Sequence, residues 1–205
     1  MVQNFGNIHN NSAILCMAST KDSKYLFTAG AKGILKQWDV SEPTTAPKLI
    51  FENIETYNYP IDKILITNDD KLLMTCGNDS YLRIFTIMEK SCVKSFLKYG
   101  AYCINSIVAS PDSKFLYTSE VVNLNGYSYN SLKKYSLLNF EEEDFLPLIN
   151  EKGIFEHLVL TDDGKFLYIS ESRGSIKKFS VLHNIANNFN ANLNIKNCSF
   201  NMVED

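Results

Sequence analysis

The chain has 205 residues, 45% hydrophobic and 21% charged, with a formal net charge of −3 and an isoelectric point near 5.7. That is globular composition, and it leaves no basic field to draw the chain onto nucleic acid or an anionic membrane. No apolar run approaches the roughly 18 residues needed to cross a bilayer, and Met1-Val2-Gln3-Asn4 does not open a signal peptide, so a cytoplasmic protein with no membrane partner is expected.

Four phrases recur along the chain: D-S-K-Y-L-F-T from Asp22, D-D-K-L-L-M-T from Asp69, D-S-K-F-L-Y-T from Asp112 and D-G-K-F-L-Y-I from Asp163. The aspartates stand 47, 43 and 51 residues apart, and Lys24, Lys71, Lys114 and Lys165 fall in register with them. A large apolar residue stands eight positions before each aspartate: Ile14, Ile61, Ile104 and Phe155. A short apolar strand follows it, as in Ile61–Ile66 and Ile104–Ala109. The aspartate then makes a tight turn by capping its own backbone two residues on, and the Ser, Asp or Gly beside it tolerates the bend.

A second strand comes next, rich in aromatic and β-branched residues: Tyr25–Thr28, Phe115–Thr118 and Phe166–Ile169. A third ends on an aromatic, Trp38, Phe85, Tyr135 or Phe179. A fourth is legible at Ala46–Glu52, Ser91–Leu97 and Asp144–Ile149, and faintly at Asn192–Cys198. No stretch keeps a helical period. The reading is an all-β chain of four consecutive four-stranded units near 13–52, 60–97, 103–150 and 154–200, each needing a neighbour to cover its faces.

These units resemble the blades of the WD-repeat β-propeller family over nearly the whole chain. The best match is G-A-K-G-I-L-K-Q-W-D, whose Trp38-Asp39 is the family's naming dipeptide; G-N-D-S-Y-L-R-I-F keeps the turn acid, Asp79, six residues before its aromatic. The family braces each blade with a His, Ser/Thr, Asp and Trp set, and no unit here has all four. Lys32, Tyr129 and Arg173 replace the turn acid in units 1, 3 and 4, and His9 lies within one residue of the family's histidine position. The phrases S-P-D-S-K-F-L-Y and T-D-D-G-K-F-L-Y are also similar to lactonase-type propellers. The resemblance implies a protein-interaction scaffold, with a propeller hydrolase as the alternative.

Four blades are fewer than the family's usual ring of about seven, within the range of four to eight known for propellers. An open half-ring, completed by a partner such as a second half-propeller or by a longer chain, is expected. A closed four-bladed ring is the other reading. Residues Val2–Ile8 could supply a strand to a blade elsewhere in a ring.

Little in the chain suggests catalysis. His9, His157 and His183 neither pair at ligand spacing nor sit in a Gly-flanked nucleophile turn. Five cysteines include no C-x-x-C pair, and no Gly-rich phosphate loop occurs. No metal, cofactor or catalytic residue is expected. Lys36, Arg83, Lys133 and Lys177 recur two residues before each third-strand aromatic, either as an anion-binding stripe or as cations laid along a strand. Glu141-Glu142-Glu143-Asp144 reads as a solvated turn or a dock for a basic partner.

An insertion is more informative. The repeat lysine precedes the aromatic by 14 residues in units 1, 2 and 4, but by 21 in unit 3. The extra residues surround Asn125-Gly126, the strongest short hairpin signal, flanked by strand-forming Tyr127 and Tyr129. Propeller geometry places this hairpin on the face that also carries Tyr57, Tyr59, Tyr99 and Tyr102. Tyrosine offers a large apolar area and a hydrogen bond at low entropy cost, so these eight residues form the candidate protein-binding set; packing beneath the loops is the alternative.

Overall fold

The computed structural model describes residues 8–42, 45–54, 59–97, 101–149 and 153–181. Blade 1 comprises β1 (Ile14–Ser19), β2 (Tyr25–Gly30), β3 (Ile34–Asp39) and β4 (Lys48–Ile54). Blade 2 comprises β5 (Ile61–Ile66), β6 (Leu72–Gly77), β7 (Tyr81–Thr86) and β8 (Ser91–Leu97). Blade 3 has β9 (Ala101–Ala109), β10 (Phe115–Leu124), β11 (Tyr127–Ser136) and β12 (Glu141–Ile149). Blade 4 has β13 (Phe155–Leu160), β14 (Phe166–Glu171) and β15 (Ile176–Ser180); the strand expected at Asn192–Cys198 lies outside the described residues. Every sheet is an antiparallel meander in chain order, and no helix occurs among the described residues.

The aspartate turn is built the same way four times. Thr20, Thr67, Ser110 and Thr161 each donate a hydroxyl to the aspartate two residues on, at 2.7, 2.6, 2.5 and 2.6 Å. The same carboxylates accept the backbone N–H of Lys24, Lys71, Lys114 and Lys165. The residue after each aspartate turns left-handed: Ser23, Asp70, Ser113 and Gly164 have φ of 59°, 57°, 59° and 69°. Bonding from the preceding hydroxyl and then the backbone N–H holds the Asp22 and Asp163 carboxyls below the ordinary carboxylate range. The lysine of each motif pairs loosely with its own aspartate, at 3.3–3.7 Å, so its recurrence reflects the turn.

A second repeated feature was not legible. The first strand of each blade carries a bulge at the residue after Ile14, Ile61, Ile104 or Phe155, on Leu15, Asp62, Asn105 and Glu156. The bulge shifts register once and lets residues on both sides of it face the preceding blade.

Three apolar seams join the blades. Phe27, Leu35, Ile61, Leu73 and Phe85 fill the seam between blades 1 and 2. Met74, Leu82, Ile84, Ile104, Leu116 and Tyr135 fill the next, where the Phe96 and Tyr135 rings lie 4.9 Å apart. Tyr117, Leu132, Phe155, Leu158, Leu167 and Ile169 fill the third. No fourth seam joins blade 4 to blade 1 among the described residues, so the run is open. Trp38, Phe85, Tyr135 and Phe179 occupy equivalent positions on the third strands, each packed into or against a seam except Trp38, which is bound within its own blade.

Two expectations need correction. Glu141–Asp144 is not a turn: it opens β12, because Lys133 and Lys134 of β11 lie opposite and pair with Glu142 and Glu143 at 2.9 and 2.6 Å. β4 begins at Lys48 rather than Ala46.

Candidate functional site

An antiparallel meander puts its first and third turns at one end and its second turn at the other. That second turn bonds to the chain entering the blade: Ala31 N–H donates to Ala13 C=O at 3.0 Å, Asn78 to Pro60 at 3.1 Å and Ser172 to Ile154 at 2.9 Å. The second turns and the entries from the preceding blades therefore share one face. In blade 3 the second turn is the inserted hairpin.

The hairpin closes on Asn125 and Gly126, with Leu124 opposite Tyr127. Both turn residues have positive φ, 52° and 82°, as a two-residue turn matched to strand twist requires. A Cβ built on Gly126 meets nothing within 4 Å, so glycine serves the backbone conformation and not a tight contact. Pairing with β9 ends at Val122 and with β12 at Asn130, so the ribbon tip stands beyond both neighbours. Ser128 donates to Asn123 across it at 2.7 Å. Tyr127 is 67% exposed; Tyr129, two residues on and on the same side of the strand, is half-buried. Neither is buried between blades.

The base of the ribbon is held firmly. Asn130 donates to Gly153 C=O at 2.6 Å and accepts Phe155 N–H at 3.0 Å, tying β11 to the entry of blade 4. Tyr59 sits at the entry to blade 2, 55% exposed. Tyr57 and Tyr99, and the side chain of Tyr102, lie outside the described residues. The structure thus brings Asn125, Gly126, Tyr127 and Tyr129 together at one tip, with Tyr59 at the same end of the preceding blade.

Behind this face, each blade braces itself differently. In blade 1 the Trp38 indole N–H donates to Thr28 Oγ1 at 2.9 Å, and His9 Nε2 meets the same hydroxyl at 2.7 Å. Burial first, then the charge of Lys36, holds the His9 imidazole below its ordinary pKa, so the ring is neutral at pH 7. Its Nδ1 is buried with no partner among the described residues, and Lys32 stands exposed at the place of the turn acid.

In blade 2 that acid is present. Asp79 accepts Tyr81 N–H at 3.1 Å and pairs with Arg83 at 2.5 Å. In blade 3 an acid from the second strand takes over: buried Glu120 accepts from Thr118 at 2.8 Å and from the Tyr135 hydroxyl at 3.0 Å. Burial, then the Glu120 charge, raises the Tyr135 pKa far above its ordinary range, so the phenol stays a donor. Sequence reading missed Glu120; the T-x-E phrase within a strand is the signal that could have found it. In blade 4, Ile169 and Phe179 stand in place of the hydroxyl and the phenol, and Glu171, at the place of Glu120, pairs with Lys177 instead.

The basic positions are not an open anion stripe. Lys36 pairs with Glu52 at 3.2 Å, Arg83 with Asp79, Lys133 with Glu142, and Lys177 with Glu171 at 2.9 Å. Each cation carries its own carboxylate. Replacing Lys32 with Asp is expected to give His9 Nδ1 its missing acceptor and raise the unfolding free energy by about 1 kcal/mol. Urea denaturation measures this as a higher midpoint at unchanged slope; an unmoved midpoint would show that Nδ1 needs no acceptor from that turn.

Three comparisons bear on this geometry. The family model described as WD domain, G-beta repeat, matches residues 3–39, the unit that ends in Trp38-Asp39. The probable di- and tripeptidase DUG2 of Saccharomyces cerevisiae is 25% identical over 141 residues, 65% of this chain. The match spans only 16% of that relative's length. Among solved structures, Kuenenia stuttgartiensis hydrazine synthase superposes with a TM-score of 0.67 at 14% identity, over 80% of this chain and 52% of that one. This likeness concerns the fold alone. The first unit is one that the WD model matches, and three further antiparallel meanders follow it, so the fold is an open run of propeller-type blades of which the first is similar to a WD repeat.

Proposed function

We propose that this chain is a non-catalytic interaction scaffold of the cytoplasm, and that it recognises a protein or peptide with the face carrying the blade 3 hairpin. The observation that carries the reading is the ribbon tip itself. It presents Tyr127 at 67% exposure on a strand whose base is fastened by Asn130 to the next blade. A bare two-stranded ribbon is marginal in water, and here the fastening supplies the order, so an aromatic anchor stands preformed in solvent. WD repeats generally mediate protein–protein interaction, which favours this class over a hydrolase.

The Tyr127→Ala/Tyr129→Ala double variant is expected to keep the β-sheet circular dichroism of the parent. It should lose about 2 kcal/mol or more of binding free energy, the scale of an interface hot spot. The test is affinity capture with the parent chain, followed by calorimetry of the captured partner against both chains. A partner held equally well by the double variant would remove the hairpin from the binding face.

A further inference from the structure

The two outer flanks of the run repeat what the three seams are made of. Toward the preceding blade, β5 offers Ile61 and Ile64, β9 offers Ile104 and Ile107, and β13 offers Phe155 and Leu158. Blade 1 holds Ile14 and Met17 at those places. Ile61 and Ile104 are 3% exposed and Phe155 0%, whereas Ile14 is 39% and Met17 63% exposed. Toward the following blade, Leu35, Leu82 and Leu132 are at most 2% exposed, and their counterpart in blade 4, Ile176, is 61% exposed. Val159, at the place of Leu65 and Val108, is also 61% exposed. Apolar residues stand where a blade would cover them, and among the described residues no blade covers them.

Polar groups follow the same pattern. Cys76 points its thiol at Ile104 C=O at 4.0 Å, and Ser119 donates to Phe155 C=O at 3.4 Å. Ser170 is the next member of that series, and its buried Oγ has no partner among the described residues. By the repeat, its acceptor is the carbonyl of Ile14. At the aspartate turns, Lys21 N–H donates to Asp70 at 2.9 Å and Asp69 N–H to Ser113 at 3.2 Å. Ser23 holds the accepting place in blade 1.

We infer that two copies of this chain close into one ring, the blade 4 flank of each seated on the blade 1 flank of the other. The occupant is a second copy because this chain carries both halves of the junction, and they are matched by the apolar positions that meet in all three internal seams and by polar positions that each meet in two of them. A two-fold rotation uses both at once, turning a head-to-tail contact into a closed one, and two runs of four stay within the range of about four to eight blades. The inference stands apart from the loop-face reading, since the flanks and the hairpin share no residue.

Sedimentation of the 205-residue chain at micromolar concentration tests it. The expected result is a discrete dimer. Met17→Lys and Ile176→Glu alter exposed side chains, so each variant keeps the parent circular dichroism, and each alone should bind its own kind at least tenfold more weakly. An equimolar mixture of the two should recover the dimer: one junction is then unaltered on both sides, and the other sets the introduced lysine against the introduced glutamate. A monomeric parent, an open-ended series of oligomers, variants that dimerise undiminished, or a mixture that fails to recover would each overturn the inference.

Discussion

Asp79→Ala is expected to cost about 3–5 kcal/mol of stability, because it leaves the Arg83 guanidinium buried without its carboxylate. The two side chains are 6% and 8% exposed and 2.5 Å apart, so solvent does little to soften the loss. The same carboxylate also accepts Tyr81 N–H, and its removal frees the turn into β7. Thermal unfolding should show a fall in Tm of roughly 6 °C or more for a chain of this size. Replacing both partners with leucine should cost less than removing the acid alone, since no charge is then stranded. A loss below about 1 kcal/mol for Asp79→Ala would mean that the pair is open to water and does not brace blade 2.

Phe155→Ala should be comparably damaging, at about 3–5 kcal/mol. The ring is fully buried in the seam between blades 3 and 4, packed with Tyr117, Leu132 and Leu167. Its backbone is pinned on both sides: Asn130 accepts its N–H, while Asn105 donates to its carbonyl at 2.9 Å. The seam cannot collapse around the cavity without breaking those bonds, which places the cost toward the upper end. Hydrogen exchange should show the loss concentrated in β13 and β14. A uniform, small loss over all four blades would argue that the seams are not the local units of stability described here.

The repeat was legible because it rests on local chemistry. An aspartate capping the N–H two residues on needs only its own turn, so Asp22, Asp69, Asp112 and Asp163 show themselves in the bare sequence. The Asn125-Gly126 hairpin is equally local, since left-handed φ at two successive residues selects those residue types. What the sequence hid depends on partners far along the chain. Glu120 braces blade 3 through Tyr135, 15 residues away, and looks like any strand glutamate until the sheet forms. The acid run at Glu141–Asp144 looked like a turn because four carboxylates repel in isolation; opposite Lys133 and Lys134 they make a strand. The strand bulges at Leu15, Asp62, Asn105 and Glu156 left no uniform mark, since one of the four residues is apolar and the other three are two acids and an amide. The binding face was legible only in part, because its hairpin is a local signal while Tyr57, Tyr99 and the Tyr102 side chain lie outside the described residues.

The central claim is that the four blades run open, with the outer flanks of blades 1 and 4 apart in the same chain. Spin labels at Met17 and Ile176, with the labelled chain diluted in excess unlabelled chain, measure that separation within one molecule. The account predicts a distance well beyond the roughly 10 Å spacing of sheets packed face to face. A separation near that spacing, with strong dipolar broadening between the labels, would mean that blade 4 packs on blade 1 and the ring is closed with four blades.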